Sequence, residues 1–143
     1  LDYFFGGFHD QDQDDFALSG GSSIRTHIKE EIAKGNGPRA MMEQIMHHLI
    51  WEGEAETKKT KYYLNILNWM QDMGIKSTYY LRRNELFARL FEKYVGYELQ
   101  GKGISNRFLH KEKYDRIIYV PDDLYQKVKP KMKRLMRLMK AMI

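Results

Sequence analysis

One stretch near the middle of the chain, from Tyr79 to Val95, constrains the fold more than any other. Its apolar residues recur three and four positions apart, in adjacent rows made of Leu86, Phe87, Leu90, Phe91, Tyr94 and Val95. This spacing predicts a helix, from about 84 to 100, with a wide apolar face that must be buried. Asn84 stands just before these rows and is predicted to be the N-cap of the helix. We expect the other elements to pack around this central helix.

Two carboxylates border the apolar face of the predicted central helix. Glu85 and Glu92 are seven residues apart, so they lie almost directly above one another on one stripe of the helix. Glu85 falls in the first turn, where the helix dipole favours an anion. The pair is either a plain edge of the helix, with Glu85 paired to Arg82, Arg83 or Arg89, or part of a site. The residues by themselves leave both interpretations open.

The rest of the chain also favours helices. Apolar rows bounded by Ser, Gly and Pro predict four further helices, over about 24–34, 38–51, 55–73 and 124–143. A β-branched and aromatic run at about 117–120 is the one strand signal, and Pro121 ends it. The fold class is therefore mainly α, with about five helices packed around the central helix and at most one short strand. The 117–120 segment could also be an extended connector.

The domain organisation follows from length and from charge. A chain of 143 residues suits one domain with a real core. Residues 1–21 contain five aspartates and no Lys or Arg, so we interpret them as an acidic leader formed by the end of a truncated helix and a mobile loop. Residues 22–143 are predicted to be a single helical domain. Because the chain begins at Leu1, we expect it to be a fragment or a processed product of something longer.

Composition excludes several kinds of site. The chain has no cysteine, which excludes disulfides and thiolate metal sites. No apolar run approaches the roughly 18 residues of a membrane span, so no membrane partner is expected. No phosphate loop, dinucleotide fingerprint or nucleophile elbow is found. His47 and His48 are adjacent and point about 100° apart, so they cannot both face one metal, and a satisfied or exposed role is expected for each.

The last predicted helix is strongly basic. The chain carries a net charge of +5, and its last twenty residues hold seven Lys and Arg and no acid. Candidate contacts to nucleic acid or to a partner protein are Lys127, Lys131, Lys133, Arg134, Arg137 and Lys140. No aromatic residue follows Lys127, which weakens the case for single-stranded nucleic acid. A plain solvated face is the alternative, and the methionine-rich apolar stripe of this helix suits the domain's own core or a partner helix.

The segment from Tyr80 to Val95 resembles the signature of the large polyvalent-protein-associated domains, which occur in multidomain proteins of bacteriophages and conjugative elements. It contains Glu-hydrophobic-Phe-Ala-Arg-x-Phe-Glu-x-Tyr-Val, starting at Glu85. The run from Gly103 to Leu109 is similar to the downstream part of that pattern, and a Val-Pro pair at 120–121 and a closing helix also fit. The resemblance covers residues 77–138.

This resemblance implies a relation to the C-terminal half of a zincin-like metallopeptidase. That half follows a helix with a His-Glu-x-x-His motif, and Leu1 to Gly6 is similar to the continuation of that helix. Glu85 matches the third zinc ligand, and Glu92 matches a supporting or structural partner of that ligand. The chain itself contains no His-Glu-x-x-His. Zinc is thus expected in a full-length parent, and no cofactor and no activity are expected of this fragment alone.

The resemblance also implies partners and a location. The partners are other segments of a larger parent protein, and the location is the cytoplasm of a bacterial host or the virion. A non-catalytic interaction module is the alternative function. Such a module binds protein partners or nucleic acid through the basic C-terminal helix.

Overall fold

A computed structural model describes residues 17–103 and 116–143 of the chain. The truncated helix and most of the mobile loop predicted for the leader lie outside the described residues. Most of the run from Gly103 to Leu109 that resembles the family pattern lies outside them as well. Ala17, Leu18 and Ser19, which the domain prediction assigned to the leader, are buried. These three residues therefore pack with the helical domain.

The described residues form a mainly α structure, as predicted. The five α-helices of this part are α1 (Glu30–Ala33), α2 (Pro38–Ile50), α3 (Lys61–Asp72), α4 (Arg83–Gly101) and α5 (Asp122–Ala141). Two short 3-10 helices cover Tyr79–Leu81 and Arg116–Ile118. Pro130 lies inside α5. The three long helices lie close to their predicted ranges. The helices predicted over 24–34 and 55–73 are shorter in the structure, where they correspond to α1 and α3.

At most one short strand was predicted, and the described residues contain none. The segment 117–120 is a connector that begins in a 3-10 turn and leads into α5. Side chains from two other helices hydrogen-bond to its backbone. Tyr62 of α3 donates to the carbonyl of Ile118 at 2.7 Å, and Lys93 of α4 donates to the carbonyl of Val120 at 2.6 Å. The β-branched side chains of this segment serve burial, since Ile118 and Val120 are both in the core.

The predicted cap of the central helix was wrong. Helix α4 begins one residue earlier, with Arg82 at the N-cap position and no side-chain cap. Its first orphan N–H groups are satisfied by a distant loop: Arg83 donates to the carbonyl of Ser23 at 2.8 Å, and Asn84 donates to that of Gly21 at 2.9 Å. A local Asn cap became unnecessary because backbone carbonyls of residues 21–23 do the same work.

The start of α3 shows a side-chain cap that the sequence pattern missed. The Thr60 hydroxyl accepts from the backbone N–H of Tyr63 at 3.1 Å and donates to the carbonyl of Leu49 at 2.6 Å. Thr60 thus caps α3 and ties it to the end of α2. The residues before it, 52–59, form a loop that is closed by an isolated antiparallel bridge between Trp51 and Lys59.

Two other polar residues that precede or begin helices do not cap them either. Ser23 accepts from the backbone N–H of Arg25 at 3.0 Å, but the next helix starts only at Glu30. Asp122 is the first residue of α5, after Pro121 at the cap position. Its carboxylate accepts instead from Lys93 of α4, at 2.7 Å, because two side chains of α4 reach it.

The core lies between α2 and α5, and α3 and α4 cover its sides. The buried apolar residues of α2 are Ala40, Met41, Met42, Ile45, Met46, Leu49 and Ile50. Those of α5 are Leu124, Tyr125, Val128, Met132 and Leu135. Helix α4 contributes Leu86 and Leu90, while Phe87, Phe91 and Tyr94 are half-buried against the same core. This packing leaves the opposite side of α5 in solvent.

A charged group lies within this otherwise apolar interior. Glu43 of α2 is buried, and its Oε1 is 2.8 Å from Nη2 of Arg83 and 2.9 Å from Nη2 of Arg25. Arg83, which is fully buried, also donates to the carbonyls of Ser19 and Arg25. Because every member of this network has hydrogen-bonding partners, the residues 17–29 are held against both α2 and α4.

Candidate functional site

The basic face of α5 is set by the way the helix buries its apolar stripe. Its five buried residues recur at helical spacing, so the opposite side of the helix must face solvent. This solvent side carries Lys127, Lys133, Arg134, Arg137 and Lys140, and all five are exposed. We call these five residues the α5 basic face. From Lys127 to Lys140 the face extends over about 20 Å, at 1.5 Å per residue.

The sixth predicted contact, Lys131, has a different environment. It is half-buried, and its Nζ donates to Oε1 of Gln44 on α2 at 2.8 Å. This hydrogen bond ties α5 to α2 and takes the ammonium away from solvent. Lys131 therefore serves the packing of the two helices, while the other five predicted basic residues lie together on the face.

Tyrosine rings of α4 also lie beside α5, and the ring of Tyr97 lies at its first turns. Tyr97 is 40% exposed, its ring lies 5.0 Å from that of Tyr125, and its hydroxyl donates to Asp122 at 2.8 Å. Burial and the Glu98 carboxylate raise the pKa of the neighbouring Tyr94, against the opposing charge of Arg137. The sequence of α5 alone could not show these rings, because they come from a different helix.

A cleft of about 620 Å³ opens at the N-terminal end of α5, between the end of α2, the 52–59 loop, the start of α3 and the 117–121 connector. Its polar lining includes His48, Lys61, Asn65, Asp123 and Lys127. Lys127 belongs to both the cleft and the α5 basic face. The remaining wall is largely apolar and aromatic, with Trp51, Tyr62, Ile117, Tyr119, Pro121 and Leu124.

The two adjacent histidines have different environments. His47 makes a 2.7 Å hydrogen bond between its Nε2 and the carbonyl of Gly53. His48 is half-buried and lines the cleft. Burial, together with the charges of Lys131, His47 and Lys127, lowers the pKa of His48. The cleft therefore favours the neutral imidazole as long as no anion is near.

Glu85 and Glu92 of α4 do not line the cleft. Glu85 is half-buried in the first turn of α4, and Glu92 is half-buried further along the helix. The arginines that could have paired with Glu85 contact other groups: Arg82 donates to Thr78, Arg83 pairs with Glu43, and Arg89 donates to the carbonyl of Tyr80. Within the described part of the chain no three His, Asp or Glu side chains come close enough together to hold a metal ion. Glu85 therefore belongs to no such group among the described residues.

The buried network around Glu43 was missed by sequence reasoning, although a signal was present. Glu43 stands between Met42 and Ile45 in the most apolar stripe of the chain. A carboxylate in such a position must find a cation, because an unpaired buried charge is very costly. The identity of the partners, Arg83 and Arg25, could not be read from spacing.

A model of the family described as large polyvalent protein-associated domain 1 matches residues 71–142, which is half of the 143-residue chain. The chain belongs to this family. Large polyvalent protein-associated domains are modules of polyvalent proteins of the phage or mobile-element type, so the chain is one part of a larger multidomain protein. Searches of curated proteins and of solved structures found no significant match. None of the described helices is both long enough and apolar enough to cross a membrane.

The matched region of this large polyvalent protein-associated domain includes α4, the connector and all of α5. Helix α2 and most of α3 precede it. The Arg83–Glu43 pair therefore joins the matched region to the segment before it. The cleft is shared in the same way, since Lys127 and Asp123 come from the matched region while His48, Lys61 and Asn65 do not.

Proposed function

We propose that this chain is a non-catalytic interaction module of a polyvalent protein, and that its α5 basic face binds nucleic acid. The observation that carries the proposal is the exposure of five Lys and Arg side chains on one side of one helix. No acidic residue occurs in the chain after Asp123, so nothing on α5 offsets this charge beyond its first turn. Binding would take place in the host cytoplasm or in the virion, where a phage or mobile-element protein acts.

Charge and geometry both favour a polyanion. Clustered Lys and Arg bind a phosphate backbone because binding releases condensed counterions, and this term needs no base contacts. Lys133, Arg137 and Lys140 lie four and three residues apart, so they line up along one stripe of the helix. Tyr94 of α4 interacts electrostatically with Arg137 of this stripe, and an aromatic ring there is the kind of group on which a base of a single strand can stack.

The test is a titration against duplex and single-stranded DNA over a series of salt concentrations. We expect binding that weakens steeply with salt, because each neutralised phosphate adds about 0.9 to the slope of log K against log salt for duplex DNA. The variant Arg137→Gln/Lys140→Gln should make that slope less steep. The matched control is Lys34→Gln/Lys76→Gln, which removes the same charge from exposed positions outside α5.

Two results would contradict the proposal. One is the absence of any binding at low salt. The other is an equal loss of affinity in the face variant and in the control, which would mean that net charge alone attracts the DNA. A full loss in the face variant with an unchanged control supports the α5 basic face.

A second candidate function rests on Glu85, and we propose it as the alternative. Glu85 lies inside the matched family region, and the structure leaves it half-buried with no hydrogen bond or ion pair to another described residue. The described residues do not form a metal site by themselves, so the His-Glu-x-x-His helix would have to come from elsewhere in the parent protein. There Glu85 would be the third protein ligand and Glu92 its supporting partner.

The zinc proposal has its own test. Zinc is measured in the parent protein, as purified, and in its Glu85→Ala and Glu92→Ala variants. Stoichiometric zinc that is lost in Glu85→Ala and weakened in Glu92→Ala supports these roles. Stoichiometric zinc that survives Glu85→Ala, or a parent without zinc, rejects them.

A further inference from the structure

The cleft at the end of α5 continues the positive surface of the basic face into a concave site. Lys127 lies on the helix and lines the cleft, and Lys61 and His48 line the cleft opposite it. Along α5 itself the positive surface stops at Asp122 and Asp123. An anionic chain that follows α5 toward its first turn is therefore drawn into the cleft at Lys127.

The charges in the cleft are available to a ligand. Neither Lys61 nor Lys127 makes an ion pair or hydrogen bond to another residue of the described ranges. Glu52, which also lines the cleft, is paired with Lys58 at 3.2 Å. Asp123 remains as the carboxylate that opposes the two lysines. The net charge of these side chains favours an anionic ligand, and Lys is a common binder of phosphate.

The volume and the wall residues of the cleft fit a ligand larger than an inorganic ion. A volume of about 620 Å³ lies within the range of sites that hold small organic ligands. Beside the cationic groups the wall is formed by Ile117, Tyr119 and Leu124, and Asn65 offers both a hydrogen-bond donor and an acceptor. An apolar wall next to one amide and a cluster of cations suits a flat heterocycle that carries a phosphate.

We propose that the cleft binds one phosphorylated nucleoside unit, with its phosphate between Lys61, Lys127 and His48 and its base against Ile117, Tyr119 and Leu124 beside Asn65. The unit has two sources of the same chemistry, the end of a strand held on the α5 basic face or a free mononucleotide. The first source rests on the proposed function, and the second does not.

The test follows the imidazole resonances of His48 by NMR while adenosine monophosphate, adenosine or inorganic phosphate is added. The mononucleotide should move these resonances and raise the pKa of His48, because its phosphate offsets the charges that hold that pKa down. Adenosine and phosphate should each bind more weakly than the mononucleotide. Lys61→Met should weaken mononucleotide binding about tenfold, a change of about 1.4 kcal/mol. The control Lys76→Met removes an exposed lysine outside the cleft and should bind like the wild type.

The source is decided with a short single strand that carries a terminal phosphate. If the strand end is the ligand, Lys61→Met and removal of the terminal phosphate each weaken strand binding, and Lys140→Met weakens it too. A mononucleotide that depends on Lys61, together with a strand that binds no better than the mononucleotide, identifies the free nucleotide as the ligand and contradicts the proposed function.

Two results would overturn the cleft itself. The first is that millimolar mononucleotide leaves the His48 resonances unmoved while DNA binding still depends on Arg137 and Lys140; this rejects the cleft and leaves the basic face standing. The second is that Lys61→Met binds the mononucleotide as well as the wild type does. Equal binding of inorganic phosphate and mononucleotide would reject the base contact that the proposal contains.

Discussion

Arg83 of α4 and Glu43 of α2 form an ion pair whose two side chains are almost completely removed from solvent, with 0% and 6% exposure. Nη2 and Oε1 are 2.8 Å apart, and Arg25 approaches the same carboxylate from the loop. The pair joins the family region to the helix before it and holds residues 17–29 in place. The intact pair stabilises the fold only weakly. A variant that lacks one partner is strongly destabilised, because the charge of the other partner stays buried.

We therefore expect Arg83→Met to reduce the free energy of unfolding by about 3–5 kcal/mol, because it leaves the Glu43 carboxylate buried without its main partner. Replacing both residues, as in Arg83→Met/Glu43→Leu, should cost less than the sum of the two single changes. Urea unfolding of the single and double variants measures this. Lys133→Met, at an exposed site, is the control and should stay within about 0.5 kcal/mol of wild type. A loss of similar size in Arg83→Met and the control would contradict the role of the pair.

Gly20 should resist substitution more than Gly53, which also has a positive φ. Its φ is +97°, and a Cβ there would lie 2.6 Å from Nε and 2.8 Å from Cδ of Arg83, a side chain that is held at its far end by Glu43. Gly53 has a φ of +73° and open space around its Cβ position. Both Ala variants bear backbone strain of about 1 kcal/mol or more, but only Gly20→Ala adds a clash with a fixed neighbour. Thermal unfolding should show a clearly larger loss for Gly20→Ala, and equal losses would reject the close approach.

The Thr60 cap can be tested with a nearly isosteric change. Thr60→Val removes the acceptor of the Tyr63 N–H and the donor to the Leu49 carbonyl, both of them buried. We expect a loss of about 1–2 kcal/mol in the free energy of unfolding, the usual cost of a lost Thr cap. Thr60→Ser keeps the hydroxyl and should recover most of this loss. A Thr60→Val variant as stable as the wild type would contradict this role of the hydroxyl, because valine keeps the size and the methyl group of threonine.

The environment of His48 predicts a dependence of stability on pH. Its folded-state pKa is lowered by burial and then by the charges of Lys131, His47 and Lys127. Between the folded and unfolded pKa values the unfolded chain binds more protons, so stability rises with pH in that window. The contribution of neutral His48 is complete above about pH 6.5, the usual value for histidine, and is lost as the pH falls toward the folded pKa.

This prediction is checked by measuring unfolding between pH 7.5 and 5 in the wild type and in His48→Gln. The variant should lose less stability over that range, because it has no imidazole to protonate. In an NMR titration, Lys131→Met should raise the pKa of His48 toward its usual value, since one of the opposing charges is gone. An unchanged pKa of His48 would mean that the charge of Lys131 does not lower it.

Much of this architecture could be predicted from periodicity. The apolar rows at about 38–51, 84–100 and 124–143 specify three long helices and their buried faces, because each row must find an apolar partner whatever the topology. The same pattern placed Lys133, Arg134, Arg137 and Lys140 in solvent. The family motif around Glu85 could also be recognised, since it consists of contiguous residues.

Other features depend on residues that are far apart in the chain. The cap of α4 comes from the carbonyls of Ser23 and Gly21, and Arg83 pairs with Glu43 across 40 positions. Tyr97 lies beside α5 only because α4 packs there, and Lys127 shares a cleft with Lys61 only because α3 and α5 converge. Sequence alone determined which faces are apolar and which are basic, because helical periodicity is a local property. Tertiary structure decided which polar groups meet, because hydrogen bonds and ion pairs over such separations depend on how the helices pack.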